Sequence, residues 1–177
     1  MAKTLNDPPL VLGRGIILVL RALVGLAAVL FAICLPLTIV MPEVVFSAML
    51  EQDAVLSPGT TAMLAGILGF GLATLLAAFY FLQQLLEIIC SVAAGDPFVP
   101  ANADRLTRMA WTVLGIQLLA VPLAILQYRL QDLLDLEDAI LTVSFADNGL
   151  VLALVLFILA RVFRHGAAMR EDLEGTV

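Results

Sequence analysis

Few residues in this chain have side chains that could do chemistry, and they do not converge in the sequence. The single histidine is His165, and the two cysteines, Cys34 and Cys90, are far apart. A zinc site needs several His, Cys or carboxylate ligands at close spacing, which this pattern does not provide. We therefore expect no metal site, no cofactor and no disulfide framework, and we expect His165 to lie at a membrane interface.

The acidic residues do not form a catalytic pattern either. Asp132, Asp135 and Asp138 recur at helical spacing without the loop spacing and glycine of an EF-hand, which favours a solvated acidic face over a Ca²⁺ site. Glu87 lies about 39 Å along a helix from Thr61, so we expect it at an interface rather than within a bilayer. Because no nucleophile elbow, phosphate loop or dinucleotide fingerprint occurs, we expect no catalytic residues and no enzyme.

The elements that position these residues are long and apolar. The chain is 62% hydrophobic and only 14% charged, with a mean hydropathy of +1.08, whereas a soluble domain is about 45–50% apolar. Its apolar runs approach the ~20 residues that a helix needs to cross a bilayer. The sequence predicts an all-α integral membrane protein, residues 1–177 forming a single domain with four transmembrane helices at about 16–41, 61–90, 103–130 and 147–165.

The basic residues predict the orientation, since short cytoplasmic loops retain lysine and arginine. Only Arg129 falls on one side of the predicted membrane, and the other side carries Lys3, Arg14, Arg21, Arg105, Arg108, Arg161, Arg164 and Arg170. Both termini should therefore be cytoplasmic. The chain has a net charge of −6, and we expect the lipid bilayer, rather than nucleic acid, as its partner.

The two outer loops carry weaker signals. Residues 130–138 have leucines on one helical face and aspartates on another, which suggests an amphipathic extension of the third helix. Residues 140–146 alternate as a short strand does, and they could pair with residues 44–49 of the first outer loop.

Small residues in the second span predict a packing seam, because close backbone approach favours helix association in lipid. They recur at steps of four and three: Ala62, Gly66, Gly69, Ala73 and Ala77. The same face continues to Glu87, and a similar seam in the first span leads back to Arg21. These positions suggest an Arg21–Glu87 ion pair, although Arg105, Arg161 or Arg164 could also be the partner of Glu87. Pro36 and Pro122 predict bends, which could be static or could act as gates.

Two segments, GDPFVPANADRLTRMAW and LARVFRHGAAMREDLEGTV, resemble the membrane family catalogued as domain of unknown function 2975 (DUF2975). The first carries a G-x-P-F and N-x-x-R-L pattern and the second an F-R-x-G pattern with a T-V ending. The matching residues are Gly95, Pro97, Phe98, Asn102, Arg105, Leu106, Phe163, Arg164, Gly166, Thr176 and Val177. The resemblance implies a four-helix protein of the bacterial inner membrane, of unassigned activity, often encoded beside a small helix-turn-helix regulator.

These motif residues also have structural interpretations. Gly95 can end the second helix with a positive φ, and Asn102 can cap the third helix with Asp104 in its first turn. Arg105 and Arg108 can then anchor that helix at the lipid headgroups. A binding role of the connection is the alternative.

Our leading functional hypothesis is a regulatory or accessory membrane protein whose basic inner face docks a soluble cytoplasmic partner. By resemblance, that partner could be a helix-turn-helix regulator, and a homo-oligomer is a further option. The alternative is a small transporter or channel component, suggested by the two prolines and the glycine-rich second span. The candidate interaction residues are Gly95, Pro97, Phe98, Asn102, Arg105, Arg108, Arg161 and Arg164.

Overall fold

The computed structural model describes residues 8–45, 58–134 and 148–174. They contain four long helices: α1 (Pro8–Val40), α2 (Pro58–Ala93), α3 (Pro100–Leu134) and α4 (Gly149–Glu174). Each is long and apolar enough to cross a membrane, which confirms the predicted all-α fold with four candidate spans. The predicted strand at 140–146 lies outside the described residues, as do residues 46–49 of its suggested partner, while residues 44–45 are helical.

Gly95 ends α2 as the sequence predicts. Its φ is +86°, a conformation that glycine adopts without the steric penalty of a Cβ atom. The Gly95 N–H donates to the Val92 carbonyl at 3.0 Å, and the Asp96 N–H donates to the Ser91 carbonyl at 3.2 Å. This pair of bonds is a Schellman motif, which satisfies carbonyl groups at the end of the helix.

The predicted role of Asn102 as the cap of α3 is wrong. The helix begins two residues earlier, at Pro100, because proline has a suitable φ and lacks the N–H that the first helical position leaves unpaired. Asn102 consequently lies inside the first turn, where its side chain is free to bond to α2 and to the connection. Asp104 falls beyond the first turn, which contains no acidic residue.

The helices pack chiefly in chain order: α1 against α2, α2 against α3, and α3 against α4. One buried cluster lies between α3 and α4 around Met109, Ala110 and Leu156, with side chains of α2 packed against it. A second cluster around Leu64 and Leu68 of α2 receives side chains from α1 and α3. Helices α1 and α4 therefore flank the central pair and leave one apolar face of each exposed.

The small residues of α2 do not form the single seam that their spacing suggests. A Cβ on Gly66 would lie 2.9 Å from Leu126 of α3, whereas one on Gly69 would lie 3.7 Å from Leu35 of α1. The two glycines thus contact different neighbours, because α2 is central and packs on both sides. The closer approach to α1 is at Gly71, outside the predicted seam, where a Cβ would lie 2.7 Å from Phe31.

Pro36 lies inside α1 and Pro122 inside α3, and both helices continue past them. A proline cannot donate the hydrogen bond to the carbonyl four residues earlier. Beside Pro36, the buried Thr38 hydroxyl donates to the Cys34 carbonyl at 2.8 Å. This bond pairs the Thr38 hydroxyl within the helix, whereas the carbonyl that Pro36 leaves without its usual helical donor is that of Ala32.

Candidate functional site

The connection between α2 and α3 is held in place by Asn102, whose side chain is fully buried. Its amide nitrogen donates to the Pro97 carbonyl at 2.9 Å and to the Ser91 hydroxyl at 2.6 Å. Ser91 in turn donates to the Ile88 carbonyl at 2.7 Å. Asn102 therefore joins the end of α2, the connection and the start of α3. The role of Ser91 is not apparent from the sequence, since no motif includes this residue.

Arg105 extends this network to Glu87. Its Nη1 donates to the Asn102 amide oxygen at 2.8 Å, and its Nε donates to Glu87 Oε2 at 2.9 Å. Gln83 makes a longer contact with the same carboxylate, at 3.5 Å. Only 23% of the Arg105 side chain is exposed, so its guanidinium bonds mainly to groups of the protein itself. Charge-assisted bonds of this kind are about twice as strong as neutral ones.

The predicted ion pair between Arg21 and Glu87 is wrong. Arg21 does point toward α2, but its guanidinium lies over the Phe79 ring, 4.6 Å from the centroid, as a cation–π contact. Phe79 precedes Glu87 by two helical turns, about 12 Å along α2. Arg21 is thus level with the ring and out of reach of the carboxylate, which Arg105 approaches from α3.

The second motif, on α4, packs directly against the first. The rings of Phe98 and Phe163 lie 5.4 Å apart between centroids. A Cβ on Gly166 would lie 2.8 Å from the Phe98 ring, so glycine is the residue that permits this approach. Sequence reasoning assigned these residues to two separate patterns and did not predict that they meet.

Two further ion pairs tie α4 to the same end of the bundle. Arg164 contacts Asp104 of α3 at 3.3 Å, and Arg170 contacts Asp96 of the connection. Both partners of the Arg164–Asp104 pair are well exposed, at 64% and 60% of their side chains. The sequence predicts a basic face at this end. The structure shows a mixed one, because Arg105, Arg164 and Arg170 each pair with a nearby carboxylate.

Two of the predicted interaction residues remain outside these contacts. Arg108 on α3 and Arg161 on α4 are both exposed, and neither takes part in an ion pair within residues 8–45, 58–134 and 148–174. Inside the bundle, the Gln84 side chain is 4% exposed, and its amide oxygen has no hydrogen-bond donor in the described part of the chain. The same part contains no group of three His, Cys, Asp or Glu residues that could hold a metal ion.

Comparison with known proteins gives one finding. The family described as "Protein of unknown function (DUF2975)" matches residues 48–177, a range that includes both motifs and α2 to α4. The family expected from those motifs is therefore confirmed. No curated protein and no solved structure matches the chain.

Proposed function

We propose, from the premise that this chain belongs to the DUF2975 family, that it is a regulatory or accessory protein of the bacterial inner membrane. In this proposal it performs no catalysis. Its function is to dock an acidic soluble protein on the cytoplasmic side, at a face formed by Arg108 of α3 and Arg164 of α4. We call these two residues the docking face.

The orientation in this proposal rests on the distribution of charge. Eight of the nine basic residues fall at the N-terminus, the α2–α3 connection or the C-terminal region, and only Arg129 falls at the opposite end. Lysine and arginine are retained on the cytoplasmic side of short loops. The docking face and both termini would then face the cytoplasm, where a soluble regulator can reach them.

The observation that carries the proposal is the difference between the arginines at this end. Arg105 bonds to both Glu87 and Asn102 and is 23% exposed, so it is not available to a partner. Arg164 is exposed, and an exposed pair such as Arg164–Asp104 contributes only about 0–1 kcal/mol. Exchanging Asp104 for a carboxylate of a partner would therefore cost little.

The rest of this end provides a rigid support. The Schellman motif at Gly95, the bonds of Asn102 and the packing of Phe98 against α4 hold the connection in one arrangement. A preorganised surface loses less conformational entropy on binding than a mobile loop does. The family resemblance suggests a helix-turn-helix regulator as the partner, and the charge of the docking face suggests that the contacting surface is acidic.

The test is a pull-down of the full-length chain from native membranes, with Arg108→Gln/Arg164→Gln compared with Arg129→Gln. Arg129 is an exposed arginine of the same helix α3, about 32 Å from Arg108 at the other end. We expect one soluble protein, identified by mass spectrometry, to be retained by the wild type and by Arg129→Gln. The double variant should not retain this protein. Higher salt should weaken its binding to the wild type, because screening reduces exposed charge interactions.

The opposite results would reject docking. A partner retained equally by the double variant would show that the docking face is not the contact. The absence of any soluble partner, together with an oligomer whose stability depends on a solute, would favour the transporter alternative.

A further inference from the structure

An open groove of about 690 Å³ runs along α4 close to the end of its apolar stretch. Arg161 and His165 lie one helical turn apart on one side of it, and Ile158 and Val162 lie on the adjacent stripe. The ring of Phe98 forms part of the wall. The groove therefore combines two polar side chains with an apolar surface.

The aromatic residues indicate the depth of this groove. Trp111 of α3 is 64% exposed and contacts Phe157 of α4, with ring centroids 5.6 Å apart. Exposed tryptophans concentrate at the level of the lipid headgroups. Ile158 follows Phe157 directly, whereas Arg161 begins one turn farther from the apolar stretch. The groove thus begins at the headgroup level, where Ile158 is its lining residue nearest to the acyl chains and Arg161 and His165 face the headgroups.

The length of α4 supports the same placement. The uncharged stretch from Gly149 to Ala160 is about 18 Å long, whereas the hydrocarbon core of a bilayer is about 30 Å thick. Either the Arg161 side chain extends outward or headgroups come closer to it, because a charge within hydrocarbon is costly. A headgroup seated in the groove would resolve this mismatch.

We propose that the groove binds one anionic phospholipid, with its phosphate held by Arg161 and His165. The guanidinium of arginine matches the geometry of a phosphate, and a histidine ring nitrogen can donate a second bond. Val162 contacts the glycerol region beside the phosphate, and one acyl chain continues past Ile158 toward the apolar stretch of α4. The Phe98 wall is held by Phe163 and Gly166, so the shape of the groove exists before the lipid arrives. The docking face does not include these groove residues.

The test measures lipid retention by the purified full-length chain in detergent, using native mass spectrometry and thermal melting. Phosphatidylglycerol should bind in preference to phosphatidylcholine and raise the melting temperature. Arg161→Gln should weaken that binding about tenfold, or about 1.4 kcal/mol. Arg14→Gln is the matched control, because Arg14 is an exposed arginine of α1, which packs chiefly against α2.

A second pair of variants tests the groove without changing its charge. Val162→Trp should fill the groove and abolish phosphatidylglycerol retention. Val29→Trp places the same ring at an equally exposed valine of α1, which packs chiefly against α2, and should leave retention unchanged. Because both valines are exposed, neither substitution disturbs the core.

Four outcomes would overturn the proposal. Equal retention of phosphatidylcholine would mean that the groove does not recognise anionic headgroups. Equal stabilisation by inorganic phosphate would mean that the acyl chain contributes nothing. Equal losses in Arg161→Gln and Arg14→Gln, or unchanged binding in Val162→Trp, would show that the lipid binds elsewhere.

Discussion

Arg105 links two helices at the polar end through a single side chain. It bonds to the buried Asn102 and to Glu87, and so links α3 to α2. The N-x-x-R spacing places Asn102 and Arg105 on one face of α3, one turn apart. A single arginine can therefore bond both to the amide of Asn102 and to the Glu87 carboxylate of α2.

A double-mutant cycle on Glu87→Gln and Arg105→Gln should reveal this coupling. We expect the loss of unfolding free energy in the double variant to differ from the sum of the two single losses by about 1 kcal/mol, because residues in one hydrogen-bond network are coupled. The measurement is denaturant unfolding in mixed micelles. The matched cycle pairs Glu87→Gln with Arg21→Gln and should be additive within about 0.3–0.5 kcal/mol. Additivity in the first cycle, or coupling in the second, would contradict the observed pairing.

The sequence favoured Arg21 as the partner of Glu87 and offered Arg105 only as one of three alternatives. Spacing along one helix shows which residues share a face, and it does not show how far a neighbouring helix is shifted along its axis. Arg21 shares a face with Gly25, as expected, yet the axial shift of α1 places it level with Phe79. Because Phe79 lies two turns before Glu87 on α2, Arg21 contacts the ring and Arg105 pairs with Glu87.

At the scale of the element, α2 is defined by its central position. It packs against α1 on one side and α3 on the other, with Gly71 and Gly69 toward α1 and Gly66 toward α3. The periodicity of small residues correctly marked α2 as a helix that neighbours approach closely. It could not assign each glycine to a neighbour, since that depends on where large side chains such as Phe31 fall on the other helix.

Gly71→Ala should destabilise the fold, by about 1–3 kcal/mol, because the new methyl group would have to displace the Phe31 ring. Gly115→Ala is the matched control, since nothing lies within 4 Å of a Cβ at that position of α3. Alanine there should be neutral or stabilising, because it favours helix more than glycine does. Thermal melting in detergent gives the comparison. A Gly71→Ala variant as stable as Gly115→Ala would argue against the close approach.

At the scale of the whole molecule, the four helices could be predicted from hydropathy and length alone. The predicted spans are shorter than the helices: the second was expected at about 61–90, whereas α2 is Pro58–Ala93. Hydropathy predicts only the apolar stretch of a helix that lipid can surround. The ends of the helix depend on local residues such as Pro58 and Gly95. The contact between the α2–α3 connection and α4 could not be predicted, because it joins residues far apart in the sequence.

The topology itself is a prediction of the positive-inside rule. Reporter fusions after Val99 and at Val177 should give cytoplasmic signals, and fusions after Met49 and Ala139 should give external ones. Alkaline phosphatase activity and GFP fluorescence are complementary readouts for the two sides. A single inverted site would contradict the four-span arrangement with both termini inside.

The packing of helices in chain order has a consequence for biosynthesis. Each helix after α1 packs against the helix that left the ribosome just before it, so assembly can follow synthesis without any helix waiting for a distant partner. The α2–α3 connection would then mature late, since Phe98 acquires its contacts with Phe163 and Gly166 only when α4 has been translated. This polar end is therefore completed only after α4 has joined α3.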